Sequence, residues 1–149
     1  MGPLSPDSDN RVRIVREYFR RCDAGTQDVV DLLTDDVQIY FPKYGIGVGR
    51  PSFFEFGSAV MATLESISHD VDNFKWIVAD DAVVVEGTTR GVTRSGVAWE
   101  GGKTPGGRFC STFEFRNDLI SRMFIYLDPD FAGADRERFL WPEGSRRTW

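Results

Sequence analysis

From Ile67 to Leu127 the chain reads as four extended stretches separated by turn formers: Ile67 to Ala79, Ala82 to Arg90, Gly107 to Phe115 and Leu119 to Leu127. They are rich in β-branched and aromatic residues with a period of two, the pattern of strands half buried on a pleated surface. Asp80-Asp81 and Asn117-Asp118 suit tight hairpin turns, because short polar side chains bond their own backbone and tolerate left-handed dihedrals. The connection from Gly101 to Gly107 is longer and rich in glycine, so it reads as a mobile loop placed to gate a pocket. A long antiparallel meander of this kind bends into a half-barrel when helices pack across one face, and its mouth is where small-molecule sites form.

The segment before the meander supplies those helices. Between Arg11 and Cys22, Val12, Val15, Phe19 and Cys22 recur at i, i+3, i+7 and i+10, and Ile14 and Tyr18 widen the stripe. A short second helix is expected from about Gln27 to Leu33, then a strand from Val37 to Phe41 that Pro42 stops. Pro51 suits the first turn of a third helix carrying Phe53, Phe54, Phe56, Val60, Met61 and Leu64. A last short helix is expected from Ala134 to Trp141. Residues 1–10 are rich in turn formers and read as a flexible tail; 11–141 form one domain and 142–149 a second tail. The expected fold class is α+β, a curved, mostly antiparallel sheet packed on three to four helices, and 149 residues suit a single core.

Charge and composition exclude several classes of partner. A formal charge of -5 gives no general attraction to nucleic acid or anionic lipid. The basic cluster Arg136, Arg138, Arg146 and Arg147 is interrupted by Glu137 and Glu143 and reads as a solvated face. No stretch has the apolar length of a membrane span, and the start lacks the pattern of a signal peptide, so a cytoplasmic protein is expected. Cys22, Cys110 and His69 are too few for a standard zinc site, both thiols are expected reduced, and no cofactor or metal is expected. The aromatic content, 12 Phe, 4 Tyr and 4 Trp, fills a core or lines a cavity for a small apolar organic ligand. Phe109, Phe113 and Phe115 share one strand parity, which points to a homodimer formed through the outer face of the sheet.

The opening helix followed by Leu33-Thr34-Asp35-Asp36-Val37, the Val48-Gly49-Arg50 step, the strand Val83-Val84-Val85-Glu86-Gly87-Thr88 and a final strand ending Ile125-Tyr126-Leu127-Asp128 resemble the nuclear transport factor 2-like superfamily. Within it the likeness is to the SnoaL-like polyketide cyclases and covers about Val12 to Trp141. The resemblance implies a cone-shaped fold, frequent homodimers and a deep apolar pocket. That fold is shared by ketosteroid isomerases, epoxide hydrolases, dehydratases, cyclases and non-catalytic binders, so it underdetermines function.

Chemistry therefore has to come from particular side chains. Asp128 follows a strand in which it shares a face with Phe124 and Tyr126, and in an apolar cavity desolvation would strengthen a carboxylate as a base. It also resembles the position of the catalytic aspartate in SnoaL-like cyclases and limonene-epoxide-hydrolase-like enzymes; the alternative is that Asp128, before Pro129 and Asp130, caps a turn. His69 is the one imidazole, suited to accept and donate protons near neutrality, either on the pocket wall or as a strand-edge residue bonded to backbone. Tyr40 and Tyr44 flank Pro42, where a phenol either donates to a developing oxyanion or packs. The expected catalytic set is Asp128, His69 and Tyr40, with Tyr44, Trp76, Phe124, Tyr126 and Phe54 against the substrate. Arg108 and Glu114 share parity with Cys110 and Thr112 and read as an outward polar ladder.

Gly87 and Thr89 stand where the epoxide hydrolases resemble an Arg/Asp pair, and no paired carboxylate of the ketosteroid-isomerase kind lies near Pro42. Two readings follow: a cofactor-independent isomerase, cyclase or hydratase working by general acid/base catalysis, or a non-catalytic binding or assembly protein with the same pocket.

Overall fold

The computed structural model describes residues 5–139 and 148–149. Helix α1 spans Pro6–Ala24 and starts earlier than the tail-forming composition suggested. The turn formers are its cap: Ser5 accepts from the Ser8 N–H at 3.2 Å, Pro6 opens the first turn, and Asp7 and Asp9 sit at the positive end of the helix dipole. Gly25, at φ 68°, ends the helix with its N–H on the Arg21 and Cys22 carbonyls. Ile14, Val15, Tyr18 and Phe19 form the buried stripe.

A 3-10 turn at Gln27–Leu32 leads into β1 (Leu33–Phe41) and β2 (Gly45–Val48), followed by α2 (Arg50–Met61). Strand β2 was not expected; Pro42-Lys43 makes the hairpin, with Lys43 at φ 73° and the Tyr44 N–H on the Phe41 carbonyl at 3.1 Å. The single strand expected from Ile67 to Ala79 is two, β3 (Leu64–His69) and β4 (Lys75–Val78). They are parted by a 3-10 turn at Val71–Asn73, where the Asp70 carboxylate accepts from the Asn73 amide at 3.0 Å. Then come β5 (Ala82–Thr93), β6 (Ala98–Glu100), β7 (Arg108–Arg116) and β8 (Leu119–Leu127), and a 3-10 turn at Arg136–Arg138. Of the last helix expected from Ala134, only that turn is helical among the described residues; 140–141 and most of the expected tail lie outside them.

The sheet runs β2-β1-β8-β7-β5-β3, with β4 and β6 also on β5. Every pairing is antiparallel except β1 with β8. Strand β5 is the spine, paired with β4 and β7 in its first half and with β3 and β6 in its second. Two of its glycines have no room for a side chain: a Cβ at Gly87 would meet the Phe74 ring at 2.6 Å, and one at Gly91 the Ser66 carbonyl at 2.1 Å. Asn117 and Asp118 both have positive φ, the signature of the tight hairpin expected there.

The connection from Gly101 to Gly107 is pinned to the sheet. The Gly107 carbonyl accepts from the Thr89 N–H at 2.7 Å, Gly101 N–H donates to the Thr89 carbonyl at 2.9 Å, and the Thr104 hydroxyl takes the Glu100 N–H. Its glycines permit close backbone approach, since Cβ atoms at Gly101, Gly106 and Gly107 would stand 2.5 to 2.6 Å from backbone atoms. The expected gate is therefore a fixed turn.

Helix α1 lies across the concave face, where Ile14, Val15, Tyr18 and Phe19 pack on Val83, Val85, Phe109, Phe113 and Met123. This corrects the basis given for a homodimer: Phe109 and Phe113 are core residues under the helix, and Phe115 packs at the edge of the same cluster. The polar ladder does face outward, with Arg122 bonded to Glu114 at 2.9 Å. No helix among the described residues is long and apolar enough to cross a membrane.

Candidate active site

Helices α1 and α2 do not close completely over the sheet, and a cavity of about 400 Å³ remains between them. Phe19, Phe53, Phe109, Met123, Ile125 and Leu127 make its walls largely apolar, and the exposed Phe54 and Met61 line its opening along α2.

His69, the last residue of β3, is held against the end of α1. Its Nδ1 lies 2.6 Å from Asp23 Oδ1, and its backbone N–H donates to Asp23 Oδ2 at 2.8 Å, so one carboxylate fixes both the ring and the strand end. An ionised carboxylate only accepts, so Nδ1 carries the hydrogen and Nε2 is the nitrogen left for a ligand. The two side chains are 18% and 22% exposed, enough shelter to strengthen the pair while leaving it in reach. The imidazole is wedged between Phe19 at 4.8 Å and Phe109 at 5.4 Å between ring centroids.

Further polar residues line the cavity wall, among them Tyr18, Cys22 and Thr89. Burial raises the Tyr18 phenol well above its ordinary range, with Cys22 and then Asp23 adding to it. Burial likewise pushes the Cys22 thiol up to about 12, so it is neutral and a poor nucleophile in the working range. The Thr89 hydroxyl is already engaged, accepting from Trp99 Nε1 at 3.0 Å. Among the described residues no group of three His, Cys, Asp or Glu is arranged to hold a metal ion.

The SnoaL-like domain model matches residues 15–123, the stretch that supplies most of the cavity wall. The chain belongs to the SnoaL-like family. Its fold superposes on an NTF2-like protein from Anabaena variabilis with a TM-score of 0.70 at 22% identity, covering 88% of this chain and 98% of that one. It is similar to a candidate polyketide cyclase from Xanthomonas campestris, with a TM-score of 0.71 at 16% identity over 82% and 93% of the two chains. It is similar also to TerC, crystallised with polyporic acid, with a TM-score of 0.69 at 17% identity over 80% and 92%. At these identities the likeness speaks for the fold. No curated protein matches the chain significantly.

The SnoaL-like domain brings only part of the expected site together. His69 and Phe54 line the cavity. Asp128 and Tyr44 line a separate, larger recess of about 810 Å³, which shares Phe41, Val60 and Phe131 with the cavity wall. Asp128 is exposed there, and its Oδ1 accepts from the Asp130 N–H at 2.9 Å, the local turn bond that was the alternative to catalysis. Tyr40, Phe124 and Tyr126 stack at 5.4 and 5.6 Å on the opposite, convex face of the sheet. The parity of Phe124 and Tyr126 on β8 is the outer one, because Met123, Ile125 and Leu127 face the cavity. Trp76 packs beside Phe74 under the Arg16 guanidinium, away from the cavity. The residue missed was Asp23, and its signal was present: Val15, Phe19 and Asp23 follow at i, i+4 and i+8, which sets a carboxylate on the buried stripe of α1.

Proposed function

We propose that this SnoaL-like domain is a cofactor-independent enzyme that moves protons on a small apolar organic molecule, in an isomerisation, an intramolecular aldol cyclisation or a hydration. His69 is the general base and acid, and Asp23 is its positioning residue. The observation that carries the reading is the 2.6 Å contact of His69 Nδ1 with Asp23 at an apolar cavity. Asp23 keeps the hydrogen on Nδ1 and offsets the charge of the imidazolium that forms when Nε2 takes a proton. The apolar walls exclude water from the proton in transit. Crystallisation of TerC with polyporic acid supports a small organic ligand in this fold.

A panel of enolisable and hydroxylated apolar compounds, followed by proton exchange with deuterated water, tests the reading. His69→Gln should slow exchange about 100-fold or more, and Asp23→Asn should slow it while leaving ligand affinity near wild type. Asp128→Asn should change neither rate nor melting temperature appreciably, because Asn makes the same turn bond. Wild-type rate in His69→Gln would transfer the domain to the non-catalytic binders.

We propose further that the chain forms a homodimer through the convex face. Ile46, Tyr40, Phe124, Thr112, Val84 and Ile77 are cross-strand partners in one continuous row from β2 to β4. Ile46 and Ile77 at its ends are exposed, as is Tyr126 beside it. An apolar row of that length suits an isologous contact with a second copy. Sedimentation at micromolar concentration should give a dimer, and Phe124→Lys should weaken it by at least about 10-fold; a wild-type monomer removes the idea.

A further inference from the structure

The cavity of about 400 Å³ and the recess of about 810 Å³ share three lining residues among those described: Phe41, Val60 and Phe131. Phe41 belongs to β1 and Val60 to α2, whereas Phe131 comes from the segment after β8, beyond the residues 15–123 that the SnoaL-like domain model matches. A part of the chain outside the matched stretch therefore completes the wall between the two.

That wall is firmly seated. Phe131 is 9% exposed, shares a buried cluster with Leu64 and Trp99, and sets its ring on the Trp99 ring at 4.6 Å between centroids. Trp99 is itself fixed, because its Nε1 donates to Thr89 Oγ1 at 3.0 Å and its ring fills space that a Cβ at Gly91 would enter, 2.4 Å away. The Phe131 backbone packs on Gly106, where a Cβ would stand 2.5 Å from the Phe131 carbonyl oxygen. Two carboxylates shape the turns around it: Asp128 Oδ1 accepts from the Asp130 N–H and Asp130 Oδ2 from the Asp135 N–H, each at 2.9 Å. Moving the ring would open a gap in a close-packed cluster.

The two sides of the ring also differ in chemistry. Aromatic and aliphatic side chains dominate the cavity, but Lys43, Asp128, Asp130, Asp135 and Arg136 line the recess. An apolar chain gains by burial on the first side and little among charges on the second.

We propose that Phe131 is the specificity-determining residue that ends the substrate site. The domain takes a compact apolar molecule that fills the 400 Å³ chamber and discriminates against one with a longer chain. This rests on the reading of the cavity as the substrate site and adds a size limit to it. His69 and Asp23 line the same chamber, so the reacting carbon stays on the dyad's side of the ring.

A homologous series of straight-chain methyl ketones tests the limit, with affinity followed by calorimetry and proton exchange by uptake of deuterium. Wild-type affinity should rise about 3- to 4-fold with each added methylene until the chamber is full, and then stop rising. Phe131→Ala should move that limit by about four carbons, the volume of the deleted ring, and Phe131→Leu by about one. The limit is read within each variant's own series, so a general loss of affinity does not move it. Phe131→Leu keeps an apolar side chain on Trp99 and decides the matter if Phe131→Ala does not fold. His69→Gln should keep the wild-type limit and slow exchange about 100-fold or more. An unmoved limit in Phe131→Leu, or a wild-type series that rises to its end, overturns the size limit and leaves the dyad standing. Unchanged exchange in His69→Gln overturns the dyad and leaves the limit standing. A wild-type protein that binds no homologue overturns both.

Discussion

The two faces of the sheet are built from the same strands with the same kind of residue, and they do different work. On β8, Met123, Ile125 and Leu127 point to the cavity and the helices, whereas Phe124 and Tyr126 point outward and stack on Tyr40. Both sets are apolar, so what makes one of them core is the helix lying over it. The inner face has α1 pressed on Val83, Val85 and Phe113. The outer face has the Arg122 guanidinium 3.6 Å above the Phe124 ring and, among the described residues, no helix.

The largest expected difference between the faces is in stability. Phe113→Ala leaves a cavity under α1 and should cost about 3 to 5 kcal/mol in urea unfolding. Phe124→Ala removes a ring that the guanidinium and Tyr40 already share with solvent, and should cost about 1 kcal/mol or less in the monomer. If the homodimer forms, the Phe124 loss should grow with protein concentration and the Phe113 loss should not, because only the former is linked to association. Equal losses at every concentration would abolish the distinction.

That contrast also explains what could be read from the sequence. The α+β class and the strands β5, β7 and β8 were legible, because period-two alternation and turn chemistry are local signals, whereas the three-residue β6 is too short to carry such a period. The parity of β5 and β7 could be settled from polarity, since Glu86, Arg108 and Glu114 mark an outward side. Strand β8 lacks such a marker: Phe124 and Tyr126 are as apolar as Met123 and Ile125, so placing Asp128 with the aromatics chose the convex face. Helix α1 hid its start because Ser, Pro and Asp serve turns and helix caps equally. His69 was found as the one imidazole, but its partner is Asp23, 46 positions earlier in the chain. No local pattern joins two residues that only the docking of α1 on β3 brings together.

The smallest effects expected are in the pH dependence, and they separate interior from surface by sign. Burial raises the Cys22 thiol to about 12 in the folded protein, above the ordinary thiol value of about 8.5. Its contribution is complete below that ordinary value and is lost as pH climbs towards 12, because the unfolded chain gives up the proton first. Tyr18, raised mainly by burial, acts in the same direction at still higher pH. Cys22→Ala should therefore flatten the alkaline fall in melting temperature. Asp36 behaves oppositely: the Arg116 guanidinium bonded to it holds its carboxyl below the ordinary value of about 3.9. That contribution is present above the ordinary value and is lost as pH falls through the lower folded one. Asp36→Asn should flatten only the acid limb, and because both partners are more than half exposed, its small effect should vanish in molar salt. The Cys22 effect comes from desolvation and should survive salt. An Asp36 effect that persists in salt, or a Cys22 effect that disappears, would mean that the electrostatic environments of cavity and surface are not divided as the two faces of the sheet imply.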